Sequence, residues 1–420
     1  MVRAREVELL TIGYELLLGA ITDENAAWLA RSLGQVGIRV SRHTTVGDDP
    51  AAIGDALSAA LARSGIALCS GGLGPTVDDV TRPAAAALFG RELRLDTAVL
   101  AAIRERFERR GRPMPEINRS QALVPADARV LPNSRGTAPG LVLEDAADRL
   151  AILLPGVPGE LRGLFRDEVL PLLRARLGGI GPAVEHHVVR TTGIAESELA
   201  ERVADLISDV PTGSVAFLPS WSGVDVRLTS WNQAQAAADA GVAEAVAARV
   251  AEHVYAASER DLAEVVGERL RHLRLSLAVA ESCTGGLVAQ RLTEAPGASS
   301  FLIAAIVAYA NAAKERLLGV RTETLAACGA VSREVAREMA DGARAVAGAD
   351  IGIAVTGIAG PEGGSGAKPV GTVWLAATIG ERSVEEALLL PGDRAEIRAR
   401  AAQAVLALLD RVVRAERGAS

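Results

Sequence analysis

The chain has 420 residues, too many for one ordinary hydrophobic core, so two or three domains are expected. Its residues are 49% hydrophobic and 23% charged with no low-complexity tract, which excludes disordered and fibrous classes. The net charge of −7 comes without a dense Lys/Arg run, and the few aromatics are scattered, which argues against a nucleic-acid groove; three distant cysteines without CxxC spacing suggest neither a disulfide framework nor a thiolate zinc site.

Met1-Val2-Arg3-Ala4-Arg5-Glu6 leads into a strand with no signal-peptide core, and no apolar stretch reaches the roughly 18 residues that a spanning helix needs. A cytoplasmic protein without membrane contact is expected. Strands are predicted over 6–12, 38–43, 66–70 and 150–154, and helices over 24–35, with Asp23 as N-cap, and 50–62. This alternation points to a doubly wound α/β domain with a mostly parallel sheet. The strand 66–70 opens into Ser70-Gly71-Gly72-Leu73-Gly74-Pro75-Thr76-Val77-Asp78-Asp79, whose glycines can turn backbone amides toward a phosphate. Asp78 and Asp79 either hold a hard cation against that phosphate or cap the helix that follows. Two further loops are Asn133-Ser134-Arg135-Gly136-Thr137-Ala138-Pro139-Gly140 and Pro155 to Glu160, and two of the three are expected to gather at the carboxyl ends of the strands.

From about Pro182, strands over 184–192, 214–218 and 224–230 alternate with helices over 195–207 and 234–252, a small α+β unit. It reads as a spacer or dimerisation element, which makes a homodimer the expected assembly, with Trp221 and Trp231 as packing residues. Ser258-Glu259-Arg260-Asp261 caps a new helix and marks a boundary. Strands over 275–280, 303–309, 351–356, 372–378 and 385–390 and a final helix over 393–414 make a third, α/β domain. Domains are therefore expected at 1–172, 173–257 and 258–415.

In the third domain, Glu281-Ser282-Cys283-Thr284-Gly285-Gly286 carries a buried strand through a tight turn into a helix. Ser282 there is either an acyl-transfer nucleophile beside helix N-terminal amides or part of a simple cap. The next strand runs into Tyr309-Ala310-Asn311-Ala312-Ala313-Lys314. With no histidine nearby, a desolvated Lys314 assisted by Tyr309 is the available base. Cys283, lacking a cationic partner in sequence, reads as a small buried residue. A third segment, Thr356-Gly357-Ile358-Ala359-Gly360-Pro361-Glu362-Gly363-Gly364-Ser365-Gly366-Ala367-Lys368, is either a phosphate loop with Lys368 supplying charge or a surface loop.

These motifs, in this order, resemble the CinA family of competence/damage-inducible proteins. The N-terminal motifs, with Ile12-Gly13-Tyr14-Glu15-Leu16-Leu17-Leu18-Gly19, resemble its molybdopterin-binding-like domain. The middle corresponds to a KH-like module, and residues 261–409 to the nicotinamide-nucleotide amidohydrolase domain. The resemblance implies hydrolysis of nicotinamide mononucleotide to nicotinate mononucleotide and ammonia, without metal or cofactor. Ser282 is then the nucleophile, Tyr309 and Lys314 the activating pair, and Glu281, Cys283, Thr284, Gly285, Gly286, Asn311, Thr356, Gly357, Gly360, Gly363, Gly364 and Lys368 the substrate contacts. For the first domain it implies divalent-metal-dependent ADP-ribose pyrophosphatase activity, with Asp78 and Asp79 on the metal and Gly71, Gly72, Gly74, Thr76, Asn133, Gly136 and Thr137 on the substrate. Tyr14 and Val77 depart from the family pattern, which usually has Thr and His there. Two other functions stay open: non-catalytic nucleotide binding in a competence or damage response, and molybdopterin handling.

Overall fold

The computed structural model describes residues 5–179, 181–211 and 213–417. Residues 1–4, on which the leader expectation partly rests, lie outside them. The chain forms two compact units, one of residues 5–185 with Trp231–Gln233, the other of His186–Ser230 with the chain from Ala234 onward. The sequence places its first boundary at 172 and a second at 257; in the structure the chain from His186 on forms one compact unit.

Unit one holds strands β1 (Glu6–Ile12), β2 (Arg39–Val46), β3 (Ile66–Ser70), β4 (Leu93–Leu95), β5 (Leu123–Pro125), β6 (Arg129–Leu131), β7 (Gly140–Glu144) and β8 (Leu150–Leu154). Six of them form a sheet in the order β2-β1-β3-β8-β7-β6, and β4 and β5 form a separate ribbon. The first four are parallel, and β7 and β6 add antiparallel strands at one edge. Every residue of β3 and β8 is buried, as expected for central strands covered by helices on both faces. Predicted and observed bounds agree for β1, β3 and β8, and the helix Glu24–Gly34 starts as predicted, with the Asp23 carboxylate accepting from Ala26 N at 2.9 Å. The helix expected after Asp79 is present as Thr81–Leu88, whereas the antiparallel edge strands and the helix Thr97–Glu108 have no counterpart in the sequence reading.

Unit two contains two sheets. The first joins β9 (Glu185–Thr191), β10 (Val215–Ser220), β11 (Gly223–Ser230) and β12 (Val254–Ala256) in the order β10-β11-β9-β12. The second joins β13 (Leu277–Glu281), β14 (Leu302–Val307), β15 (Ile351–Gly357), β16 (Thr372–Ile379) and β17 (Arg382–Leu389) in the order β14-β13-β15-β16-β17. β13, β14 and β15 are parallel, while β16 and β17 run antiparallel. One face packs Leu277, Val279 and Ile353 against the helices Leu262–Leu273 and Arg394–Arg417, and the other packs Ala278, Ala280 and Ala354 against Arg333–Ala347. Tyr255 and Ala256 of β12 belong to the first of these two cores. Asp261 caps the Leu262–Leu273 helix as predicted, through Ala263 N at 2.8 Å. β14 stops at Val307, two residues before its predicted end, and the freed carbonyls of Ala308 and Tyr309 both accept from Lys314 Nζ. Among the described residues no helix is long and apolar enough to cross a membrane.

Candidate active site

β13 is buried along its whole length between two parallel neighbours, so the chain leaves it at the carboxyl edge of the sheet. Ser282 N still donates to Val355 O at 2.9 Å, which fixes the serine one residue beyond the strand. Gly285 (φ +60°) and Gly286 (φ +101°) then reverse the chain in a left-handed conformation that side chains rarely adopt, and the helix Leu287–Glu294 begins. The Glu281 carboxylate, fully buried, stabilises this turn: Thr284 Oγ1 (2.7 Å), Gly286 N (2.9 Å) and Val288 N (3.2 Å) donate to one oxygen, Ala289 N (2.9 Å) to the other. It satisfies helix amides that would otherwise be orphaned. Glu281 and Thr284, expected on substrate, are thus internal braces; a buried carboxylate requires such donors.

Ser282 is 8% exposed, and Lys314 Nζ donates to its Oγ at 3.0 Å. The other two partners of Nζ are the carbonyls of Ala308 and Tyr309, each at 3.0 Å. An ammonium has three N–H groups for three acceptors; as the amine, two N–H groups stay on the carbonyls and the lone pair faces the serine hydroxyl. Burial lowers the Lys314 pKa from the usual lysine value, which favours the amine. Cys283 is 5% exposed, and burial pushes its thiol up to about 12, which disfavours the thiolate at neutral pH. The amides of Cys283 and Thr284 make no backbone hydrogen bond among the described residues.

The phenol of Tyr309 does not reach this pair. Its hydroxyl accepts from Arg394 Nη2 at 2.9 Å and its ring is exposed, so only its backbone carbonyl touches Lys314. The side chain expected to relay a proton follows the turn outward while the lysine folds back beneath it. Asn311 is exposed at the first turn of the Asn311–Leu318 helix. Thr356 is buried and donates to Ala330 O at 2.8 Å, so it braces a neighbouring segment rather than facing a ligand. A Cβ on Gly357 would meet Val373 Cγ2 at 2.7 Å, which makes that glycine a packing requirement. Lys368 is committed too, since Nζ donates to Cys328 O (2.8 Å) and Val331 O (2.7 Å), tying the glycine-rich loop down instead of offering charge to a phosphate. Gly360, Gly363 and Gly364 remain in that loop, with Gly363 and Gly364 exposed.

Two residues that the sequence did not single out bring the missing positive charge. Arg394 Nη1 donates to Gly360 O at 2.6 Å, and Arg398 Nη2 to Thr284 O at 2.8 Å. One helical turn apart at the start of the last helix, they join the Ser282 turn, the Tyr309 corner and the glycine-rich loop.

In unit one all three loops come together, where two were expected. Gly156 packs against Gly71, where a Cβ would come within 3.5 Å of the Gly71 Cα, and Asn133 Nδ2 donates to Glu160 Oε2 at 2.6 Å. Asn133 Oδ1 accepts from Arg135 N and Gly136 N, so this side chain shapes its own loop. Gly136 is buried under the Glu160 carboxylate, while Thr137 lines a cleft of about 540 Å³ together with Arg106 and Arg109. Gly71 and Gly72 take positive φ. The metal expectation fares differently. Asp79 accepts from Gly74 N (2.6 Å), Thr76 N (2.8 Å) and Thr76 Oγ1 (2.5 Å), so the carboxylate that should face a cation closes the loop, and both Gly74 and Thr76 serve it. Asp78 is exposed, and among the described residues no three His, Cys, Asp or Glu side chains come together as a metal site. The donor set does not fit a preformed cation cage. Tyr14 rests its ring beside Gly47, half exposed, and Val77 is 95% exposed.

Comparison with known proteins gives three consecutive family matches: a "Probable molybdopterin binding domain" over residues 8–175, the "Damage-inducible protein CinA KH domain" over 186–256 and the "CinA C-terminal domain" over 259–413. The CinA-like protein of Gemmatimonas aurantiaca is 46% identical over 417 residues, covering 98% of this chain and 97% of that protein. The CinA-like protein of Chlorobaculum tepidum is 42% identical over 410 residues, with 95% and 96% covered. Among solved structures, the competence/damage inducible protein CihA from Agrobacterium tumefaciens is 42% identical, covers 36% of this chain and 94% of its own, and superposes with a TM-score of 0.34.

Proposed function

The chain belongs to the CinA family, and from that premise we propose that its C-terminal domain is an amidohydrolase acting on nicotinamide mononucleotide. The observation that carries this reading is Lys314 Nζ at 3.0 Å from Ser282 Oγ, both buried, with two carbonyls fixing the lysine's remaining protons.

As the amine, Lys314 takes the Ser282 hydroxyl proton while Oγ attacks the carboxamide carbon. The carbonyl oxygen gains the negative charge, and the amides of Cys283 and Thr284, at the start of the turn and without backbone carbonyl partners, are candidates to donate to it. When the C–N bond breaks, the lysine ammonium returns its proton to the leaving nitrogen, which departs as ammonia. Water, deprotonated by the same amine, then cleaves the ester to give nicotinate mononucleotide and restores the serine. No step draws on a metal. Arg394 and Arg398 supply positive charge at the mouth, which supports a substrate carrying a phosphate.

Ammonia release from nicotinamide mononucleotide by the full chain tests the proposal. Ser282→Ala and Lys314→Ala are each expected to lower it about 10³-fold. Unchanged release in either variant overturns the Ser282–Lys314 assignment, and no release by the wild type leaves non-catalytic nucleotide binding as the better reading. For the N-terminal domain we propose phosphate binding at the mouth of the three loops. Since Asp79 is engaged by its own loop, no metal-dependent cleavage step is derived there. Incubation with ADP-ribose, with and without divalent metal, tests whether pyrophosphate cleavage accompanies that binding.

A further inference from the structure

The hairpin that joins β10 to β11 carries Trp221, 42% exposed and outside the core of its own sheet. The turn is tightly held. Ser222 N donates to Ser220 Oγ at 3.2 Å within it, and Gly223 (φ +140°) lies so close to β9 that a Cβ there would overlap Thr191 O. The ring of Trp221 is aimed at a cation: the Arg291 guanidinium carbon stands 5.0 Å from its centroid.

Arg291 lies in the last turn of the eight-residue helix Leu287–Glu294, the helix that leaves the Ser282 turn. Its side chain is 10% exposed, and Nη2 donates to both carboxylate oxygens of Asp261 at 2.9 Å, the same carboxylate that caps the Leu262–Leu273 helix. A second arm of the β9–β12 sheet fixes the chain that carries this carboxylate. Arg190 of β9, paired with Asp225 of β11, donates from Nη1 to Arg260 O at 3.0 Å, one residue before Asp261. The short helix is therefore gripped at both ends. The Glu281 carboxylate holds its opening amides, while Asp261 and Trp221 hold its last turn through Arg291.

We propose that Trp221 is a positioning residue for the reaction at Ser282: stacked on Arg291, it steadies the helix that follows the nucleophile. The β9–β12 sheet then becomes a working part of the C-terminal site. Glu281 and Ser282 are adjacent, so a tilt of this helix displaces the attacking oxygen together with the amides of Cys283 and Thr284. Small displacements of that kind are costly to a reaction that depends on aligned groups. Trp221 acts at the end of the helix away from Ser282, so its loss should alter kcat rather than KM. The proposal rests on the amidohydrolase reading for one readout, and on the helix itself for another.

The test combines the kinetics of ammonia release from nicotinamide mononucleotide by the full chain with deuterium exchange at the amides of Gly286, Val288 and Ala289. Trp221→Ala is expected to lower kcat about 10-fold with KM within about 2-fold of wild type. Trp221→Phe, which keeps an aromatic face over the guanidinium, should stay within about 3-fold of wild type. In Trp221→Ala the three amides should exchange about 10-fold faster while those of β15 and β16 keep the wild-type rate, because the release is local. Unchanged kcat, or unchanged exchange at the three amides, overturns the proposal. So does faster exchange throughout the sheet, which marks general destabilisation, and so does a Trp221→Phe chain as slow as Trp221→Ala. A wild type that releases no ammonia fails the amidohydrolase reading instead, and exchange alone then decides whether Trp221 holds the helix.

Discussion

Lys314 is the residue on which the chemistry turns, and its charge state makes it testable. Because burial disfavours its ammonium, ammonia release should rise with pH through a value below the ordinary lysine 10.5, and Lys314→Arg, which cannot lose its proton, should lower it about 10³-fold at every pH. Stability should follow the same group. Between the lowered folded value and the unfolded 10.5 the unfolded chain binds more protons, so the folded state gains stability as pH rises across that window; below it the penalty is present in full. Urea unfolding of wild type and Lys314→Met from pH 7 to 10 should show the slope in the first and a flatter profile in the second. Cys283→Ala should keep ammonia release within a few-fold, because a thiol held near 12 is not the attacking group.

At the scale of elements, the strand-turn-helix around Ser282 depends on one carboxylate. Glu281→Ala strips four donors of their acceptor and should cost about 2–4 kcal/mol, seen as a melting temperature lower by roughly 5–15 °C. Lys368→Met should free the glycine-rich loop and raise KM about 10-fold with little change in kcat, a pattern that uniform loss of substrate binding produces. The strand-turn-helix element was legible in the sequence, since a buried apolar run followed by Ser, Thr and two glycines has few other ways to fold. Which polar side chains face outward was not. Glu281, Thr284, Thr356, Lys368 and Asp79 all looked like ligand groups, yet each satisfies backbone or side-chain partners that become visible only once the chain is folded. Conversely, Arg394 and Arg398 sit in the last helix, 34 and 85 residues from Gly360 and Tyr309 that Arg394 reaches and 114 from Thr284 that Arg398 reaches, distances no local motif bridges. The edge strand β6 escaped notice because it is only three residues long, and β17 was placed three residues late because its first half is polar.

For the whole molecule, two compact units predict two separable behaviours. A fragment beginning at residue 181 should retain ammonia release close to that of the full chain. One beginning at residue 258 should be destabilised by about 2–4 kcal/mol, because Tyr255 and Ala256 are part of the core it leaves behind. Thermal unfolding of the two fragments compares them directly. The buried Glu281 carboxylate has one more consequence, for motion. The amides of Gly286, Val288 and Ala289 all end on it, so they can exchange with deuterium only when the helix they open is released from the sheet. The serine is therefore a fixed post. Any movement that admits a substrate has to come from the loops around it, whose amides should exchange orders of magnitude faster.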